Sequence, residues 1–301
     1  LKLLYCIGAG LGNIIQTLPA LRTLIEVGKH QTDVFICNGF TNNDISVIFE
    51  KYADSVFFRL DDINLKKYDG CIVNRSGDLF YHKNSKIKIL KKLNINKSLT
   101  EKYKRSEVDI NLDTCRDLGI EEKDFLWTVD FDFKDNNMPS YDIVVCNGYT
   151  VNDNKYPYWR YKQFFYYNEL IKKLLKKYTV ASVGIDQSAF QGTKDYLGLS
   201  LMDTMKLIQK SKLFINNDSG LYHVANVLKK RNIVFFTFTS KIKNYEPRFH
   251  KYSIVMERDD LKCRKDCQQK NLVKKCFFNY ECTKIPLNDV INKINQLMGE
   301  N

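Results

Sequence analysis

Phe214-Ile215-Asn216-Asn217-Asp218-Ser219-Gly220-Leu221-Tyr222-His223-Val224-Ala225-Asn226 decides the fold. It reads as a buried apolar strand, a sharp polar turn, and a helix with small or apolar residues on one face. Asp218 or Ser219 is placed to cap that helix by accepting from its free N–H groups. A helix start carries partial positive charge and unpaired donors, so it is a natural seat for a phosphate. Gly220 lets a ligand come close to the backbone, and His223 lies one turn into the helix beside the mouth. Alone, Asp-Ser-Gly more often describes an ordinary capped helix with a buried histidine. A second glycine-rich turn, at the other end of the chain, tips the balance.

That second turn is Gly8-Ala9-Gly10-Leu11-Gly12-Asn13, set between a strand at Leu3 to Ile7 and an amphipathic helix expected over Asn13 to Val27. Strand, glycine turn and helix open an α/β nucleotide-fold domain. The dinucleotide fingerprint fails twice: its third glycine position is Asn13, and the next strand, Asp33 to Cys37, ends in Asn38 rather than an acid.

Outward from these two turns the chain alternates strands and helices. A strand over Asp69 to Val73 is followed by Asn74-Arg75-Ser76-Gly77-Asp78, at a strand's carboxyl end, where open parallel sheets bind ligands. Val108 to Leu118 has helical spacing and ends at Gly119. Lys134 to Ser140 is polar, contains Pro139 and lacks periodicity, so the domain boundary is expected there. The pattern then restarts. A strand is expected over Tyr141 to Cys146, a helix over Phe164 to Lys177, and a strand over Thr179 to Val183 before the turn Gly184-Ile185-Asp186. A helix at Leu201 to Lys210, a strand at Asn232 to Phe236 and an amphipathic helix at Ile285 to Met298 complete it. The expected division is 1–137, 138–285 and a C-terminal helix 286–301.

The 301 residues, 44% hydrophobic and 27% charged, are those of a globular protein with room for two cores. No apolar run approaches bilayer length, and Leu1 to Ile7 reads as a first strand rather than a signal peptide. A cytoplasmic location is expected, with possible contact at the inner face of the membrane. The net charge is +12, and nine Lys or Arg fall between Lys83 and Arg105 against the single Glu101. Such a stripe suits a polyanionic partner, or equally a solvated helix face in a lysine-rich chain. Arg75, Lys88, Lys91 and Lys92 are the acceptor-binding candidates it supplies. Cys6, Cys37, Cys71, Cys115 and Cys146 are scattered in apolar segments and read as reduced core residues. Cys263, Cys267, Cys276 and Cys282, spaced C-x3-C-x8-C-x5-C, could hold a structural zinc or form two disulfides.

The two motifs resemble those of glycosyltransferase family nine, the heptosyltransferase-like enzymes. Gly10-Leu11-Gly12-Asn13-Ile14-Ile15-Gln16-Thr17-Leu18-Pro19-Ala20-Leu21-Arg22 is similar to the N-terminal signature, and Asn217-Asp218-Ser219-Gly220 with His223 and Ala225 to the donor-site signature. Lys155 to Phe164 sits where the family carries a basic, Trp-containing segment, and late cysteines recur in many members. The resemblance implies a GT-B fold, α/β with two Rossmann-like domains facing each other across a cleft. It also implies a nucleotide-diphosphate sugar donor held by the second domain, inversion at the anomeric carbon, and no cofactor or metal in catalysis. Carried over, Ser219 and Gly220 would hold the diphosphate through backbone N–H groups, Asp218 would contact donor hydroxyls, and His223 would bond to phosphate or sugar. Lys155 or Lys162 would neutralise the departing diphosphate. Gly184 and Thr237 complete the donor-side candidates, and Gly10, Leu11 and Gly12 would form the loop closing over the reacting sugar.

Two departures stand out. Heptosyltransferases proper have an aspartate, the proposed general base, where this chain has Asn13, and an amide cannot take a proton. Asp78 and His82 are the substitute candidates, with Asn13 kept as a catalytic-loop residue; a non-catalytic sugar-nucleotide binder stays open. Thr237-Phe238-Thr239-Ser240 stands where the family usually has a glycine. The acceptor expected is anionic: a lipopolysaccharide core or other bacterial surface glycan. The alternative is a phage-type transfer to modified pyrimidines in DNA, which would require base flipping.

Overall fold

A computed structural model describes residues 1–8, 10–36, 43–73, 92–93, 104–146, 148, 157–185, 189–263, 267–268 and 270–299. The chain forms two compact units: Leu1–Val129 with Tyr245–His250, and Asp130–Asn244 with Lys251–Asn301.

The first unit carries a five-stranded sheet of β1 (Lys2–Ile7), β2 (Gln31–Ile36), β3 (Val56–Phe57), β4 (Gly70–Val73) and β5 (Lys92–Leu93), in the order β3-β2-β1-β4-β5. All its ladders are parallel. β1 is a continuous apolar run because both faces are covered; Leu3, Leu4, Tyr5 and Ile7 are fully buried. Cys6 and Cys71 meet across β1 and β4 with sulfurs 3.4 Å apart, and Cys6, Cys71, Cys115 and Cys146 are buried, reduced thiols as expected. Cys37 lies outside the described residues.

The helix expected over Asn13 to Val27 is two helices, α1 (Leu11–Ile15) and α2 (Leu18–Glu26). Pro19 is the reason. A proline within one long helix would remove a backbone bond and clash with the turn before it, whereas in the first turn of a new helix its missing N–H costs nothing. The Thr17 hydroxyl closes the break by donating to the Ile14 carbonyl at 2.7 Å. After α3 (Ser46–Phe49), the helical segment read at Val108 to Leu118 forms α4 (Glu107–Asn111) and α5 (Asp113–Asp117). Ser106 caps α4, its hydroxyl accepting from the Asp109 N–H at 3.1 Å and donating to Glu246 at 2.7 Å. Arg105 and Arg116 clamp Asp109 and Asp113 at 2.6 to 2.8 Å. Arg105, the last residue of the basic stripe, therefore has its charge matched within its own helix pair.

The second unit carries α6 (Tyr167–Leu174), α7 (Leu201–Lys210), α8 (Gly220–Val227), α9 (Lys241–Asn244) and α10 (Leu287–Met298) around six parallel strands. These are β6 (Ile143–Cys146), β7 (Val180–Gly184), β8 (Lys194–Leu197), β9 (Leu213–Asn217), β10 (Asn232–Phe236) and β11 (Ser253–Glu257). Their order is β11-β10-β9-β6-β7-β8. Numbered within the unit this is 3-2-1-4-5-6, the doubly wound nucleotide-binding order. On one face Leu213, Ile215 and Phe235 pack with Phe164, Tyr167 and Leu170, and with Val290 and Ile294 of α10. Phe164 stacks on Phe235 with ring centroids 4.4 Å apart. Asn217, two residues beyond Ile215 and so on the same face, is anchored there: its Oδ1 accepts from the Phe164 N–H at 3.3 Å and the Tyr167 hydroxyl at 3.2 Å. The end of β9 is thus fixed by the core beneath it.

Candidate functional site

In an open parallel sheet, ligands bind outside the carboxyl ends of the strands at the point where strand order reverses. In the second unit that point lies between β6 and β9, neighbours in the ladder. The chain leaving β9 there is Asp218-Ser219-Gly220, and α8 begins at Gly220. In the first unit the reversal lies between β1 and β4, and the chain leaving β1 runs through the glycine-rich turn into α1. Both turns singled out in the sequence occupy reversal points.

Ser219 is the N-cap of α8, in extended conformation (φ −140°, ψ 172°), but its hydroxyl makes no bond to the helix. Ser106 and Ser200, at the starts of α4 and α7, both spend theirs on a backbone N–H three residues on. Asp218 does not cap either. It is 4% exposed, and its Oδ2 accepts from Asn244 Nδ2 at 2.8 Å. The backbone carbonyl of the same Asn244 accepts from the Tyr222 hydroxyl, which ties α8 to α9. Neither polar residue of the turn is committed to the first N–H groups of α8.

Lys162 supplies the positive charge. Its ammonium donates to the Asp218 carbonyl at 3.2 Å and lies 4.8 Å from the centre of the Trp159 ring. Burial lowers its pKa, opposed by the attraction of Asp218 and reinforced by the nearby Lys243. Thr237 is fully buried and donates to the Tyr161 carbonyl at 2.6 Å, holding the Lys162 segment against the end of β10. His223 is 3% exposed, its ring against that of Tyr222 at 3.8 Å. Gly184 ends β7 at φ 149°, a conformation that favours glycine, and its carbonyl accepts from the Gly198 N–H at 2.8 Å. The structure therefore brings Lys162, Asp218, Ser219 and Gly220 together, with Thr237 bracing them.

In the first unit, Gly10 is the N-cap of α1 and makes no side-chain cap; its carbonyl accepts from Ile14 and that of Gly12 from Gln16. Asn13 Nδ2 donates to Glu107 Oε1 at 2.5 Å. Arg75, Asp78, His82, Lys88, Lys91 and Lys155 lie outside the described residues, and of Lys92 only the backbone, in β5, is described.

The zinc expectation needs correcting. Cys267 and Cys282 are buried in an apolar cluster with Phe238 and Val273, and none of the four late cysteines is in a disulfide. Among the described residues no group of three His, Cys, Asp or Glu could hold a metal ion. Close spacing in sequence is not convergence in space, because the thiols fall on separate turns and 3-10 segments. Likewise, among the described residues no helix is long and apolar enough to cross a membrane.

Sequence reasoning missed Asn244 and Glu107, which hold Asp218 and Asn13 from 26 and 94 residues away. Neither carried a local signal beyond Glu107 following the cap serine.

Two parallel sheets of this topology, each with a turn at its reversal point, match the GT-B fold of the solved structures this chain is similar to. The resemblance read from the motifs holds: the model of glycosyltransferase family 9 (heptosyltransferase) matches residues 197–276, which contain the Asp218 turn. A glycosyltransferase family 9 structure from Veillonella parvula DSM 2008 is similar over 100% of this chain and 97% of its own, with TM-score 0.69 and 14% identity. The E. coli ADP-heptose lps heptosyltransferase II is similar over 100% and 99%, with TM-score 0.68 and 16% identity. TibC, a dodecameric iron-containing glycosyltransferase from enterotoxigenic E. coli H10407, is similar over 98% of this chain and 76% of its own, with TM-score 0.67 and 15% identity. No curated protein sequence matches the chain.

Proposed function

We propose that this chain is an inverting glycosyltransferase of heptosyltransferase type. It takes a sugar from a nucleotide-diphosphate donor, ADP-heptose being the first candidate, and passes it to an anionic acceptor such as a lipopolysaccharide core or another bacterial surface glycan. The observation that carries this is the β9–α8 turn: a helix start at the reversal point of a nucleotide-type sheet, with its serine hydroxyl not spent on capping. TibC has been solved with ADP-D-beta-D-heptose and E. coli WaaC with ADP, which is why ADP leads among the nucleotides.

In this reading the diphosphate rests against the N–H groups of Ser219, Gly220 and Leu221. Lys162 offsets the charge that builds on the departing diphosphate, so no metal is required for that task. Asp218, held by Asn244, contacts donor hydroxyls, and Gly10 to Asn13 form the acceptor-side loop. The enzyme works in the cytoplasm. Several of its structural neighbours are named heptosyltransferases, so the DNA acceptor is not carried forward.

A thermal-shift screen with ADP, GDP and UDP tests the reading, since a ligand that binds the native state raises its melting point. ADP is expected to give the largest rise, and Ser219→Pro, which adds a ring and removes an N–H at the turn, is expected to abolish it. A melting point unmoved by any nucleoside diphosphate at millimolar concentration would overturn it.

A further inference from the structure

The pairing of Asn13 with Glu107 gives the first-unit loop a chemistry that neither residue announces alone. Glu107, the first residue of α4, is 4% exposed, and a carboxylate so deeply placed needs a donor. Asn13, half-buried in α1, supplies one through Nδ2 at 2.5 Å. An aspartate at position 13 would instead set two carboxylates against each other, and the pair would have to share a proton. The amide at 13 and the acid at 107 are therefore matched as donor and acceptor.

This match also decides which way the amide faces. With Nδ2 turned to the carboxylate, Oδ1 is the atom left over, and a Cβ added at Gly10 would meet it at 3.9 Å. The amide oxygen thus lies beside Gly10, on the turn that leaves β1 at the reversal point. An amide oxygen accepts hydrogen bonds and does not donate, so a hydroxyl in front of it is oriented with its proton toward Asn13 and a lone pair free.

We propose that Glu107 is a positioning residue for glycosyl transfer, holding the Asn13 amide so that Oδ1 accepts a hydrogen bond from the acceptor hydroxyl. This rests on the function proposed above. In the step itself the hydroxyl oxygen bonds to the anomeric carbon while the bond from that carbon to the diphosphate breaks. The electron pair leaves with the diphosphate, and the hydroxyl proton passes to solvent. Asn13 aims the attacking lone pair and takes no proton.

The test uses the full chain with ADP-heptose and water as the acceptor, following ADP release, with ADP affinity measured separately by calorimetry. Glu107→Gln lets the amide at 13 turn over and present Nδ2. It is expected to lower kcat for hydrolysis roughly 10- to 100-fold, with ADP affinity within twofold of wild type. Asn13→Asp is expected to lose at least as much. The double variant Asn13→Asp/Glu107→Gln restores a donor and an acceptor with the polarity reversed, and should recover to within threefold of wild type. A purely structural pair would not give that recovery. Glu107→Gln within twofold of wild type, or a double variant as slow as the singles, overturns the proposal. Should Glu107→Gln fail to fold, Asn13→Ala, at a half-buried position, replaces it with the same expected loss, and activity within twofold of wild type overturns the proposal. A wild type that binds ADP but shows unaffected variants contradicts only this inference; a wild type that binds no ADP contradicts the function and this inference together.

Discussion

The two units repeat one strand order, 3-2-1-4-5 with a sixth strand added in the second, and yet their reversal points are built oppositely. At the end of β9 the turn is polar, its serine hydroxyl makes no capping bond, and a lysine ammonium stands behind it. At the end of β1 the turn is glycine-rich, and its one polar side chain, Asn13, is engaged by a buried acid. In the proposed reading the first of these ends receives negative charge and the second orients a neutral group. The backbone sets where a ligand can sit, and a handful of side chains decide which.

That contrast can be broken experimentally, and the largest effect is expected at Lys162. Lys162→Met removes the charge behind the turn while keeping the stem. It is expected to lower kcat about 10²- to 10³-fold in a nucleotide-release assay. The melting point should hold or rise, because burial already works against the ammonium. A fall in melting point with kcat intact would assign Lys162 to the scaffold.

Next comes acid. His250, in the segment that returns to the first unit, is fully buried; its Nδ1 accepts from the Glu246 N–H at 2.9 Å, and burial lowers its pKa from 6.5 to about 3. The unfolded chain binds a proton there that the folded chain does not. The stabilisation is therefore full above pH 6.5 and is lost as pH falls through 6.5 toward 3. Urea midpoints measured between pH 7 and 5, above the range where most carboxylates titrate, should fall with acid. A His250→Gln variant should show a flatter profile; equal slopes for the two proteins would contradict this.

The smallest effects sharpen the comparison most. Ser106 caps α4 and bonds to Glu246, so Ser106→Ala should cost about 1 to 2 kcal/mol in chemical denaturation. Ser219 caps nothing, so Ser219→Ala should cost less than about 0.5 kcal/mol. Equal costs would mean that the donor-side helix start is an ordinary cap.

Much of this was legible in the chain. Leu201–Lys210 and Asn232–Phe236 appear where their apolar periodicity placed them, and both motif turns fall at reversal points. Short strands such as β8, with the sequence Lys-Asp-Tyr-Leu at a sheet edge, carry too little apolar signal to be read. The interruption at Gln16 and Thr17 was readable from Pro19 but is masked by the helical spacing on either side. The site was half legible. Asp218, Ser219 and Gly220 announce themselves by local pattern, whereas Asn244 and Glu107 reach their partners across 26 and 94 residues, and no local pattern encodes such contacts. The late cysteines show the limit of spacing as a guide to geometry, because two of the thiols pack against Phe238 and Val273.

The most direct test of the central claim is a backbone amide NMR titration of the full chain with ADP. The account expects the Ser219, Gly220 and Leu221 N–H resonances to shift together and saturate, with those of Gly10 to Asn13 little changed. Saturable ADP binding that leaves the β9–α8 turn unmoved would contradict it.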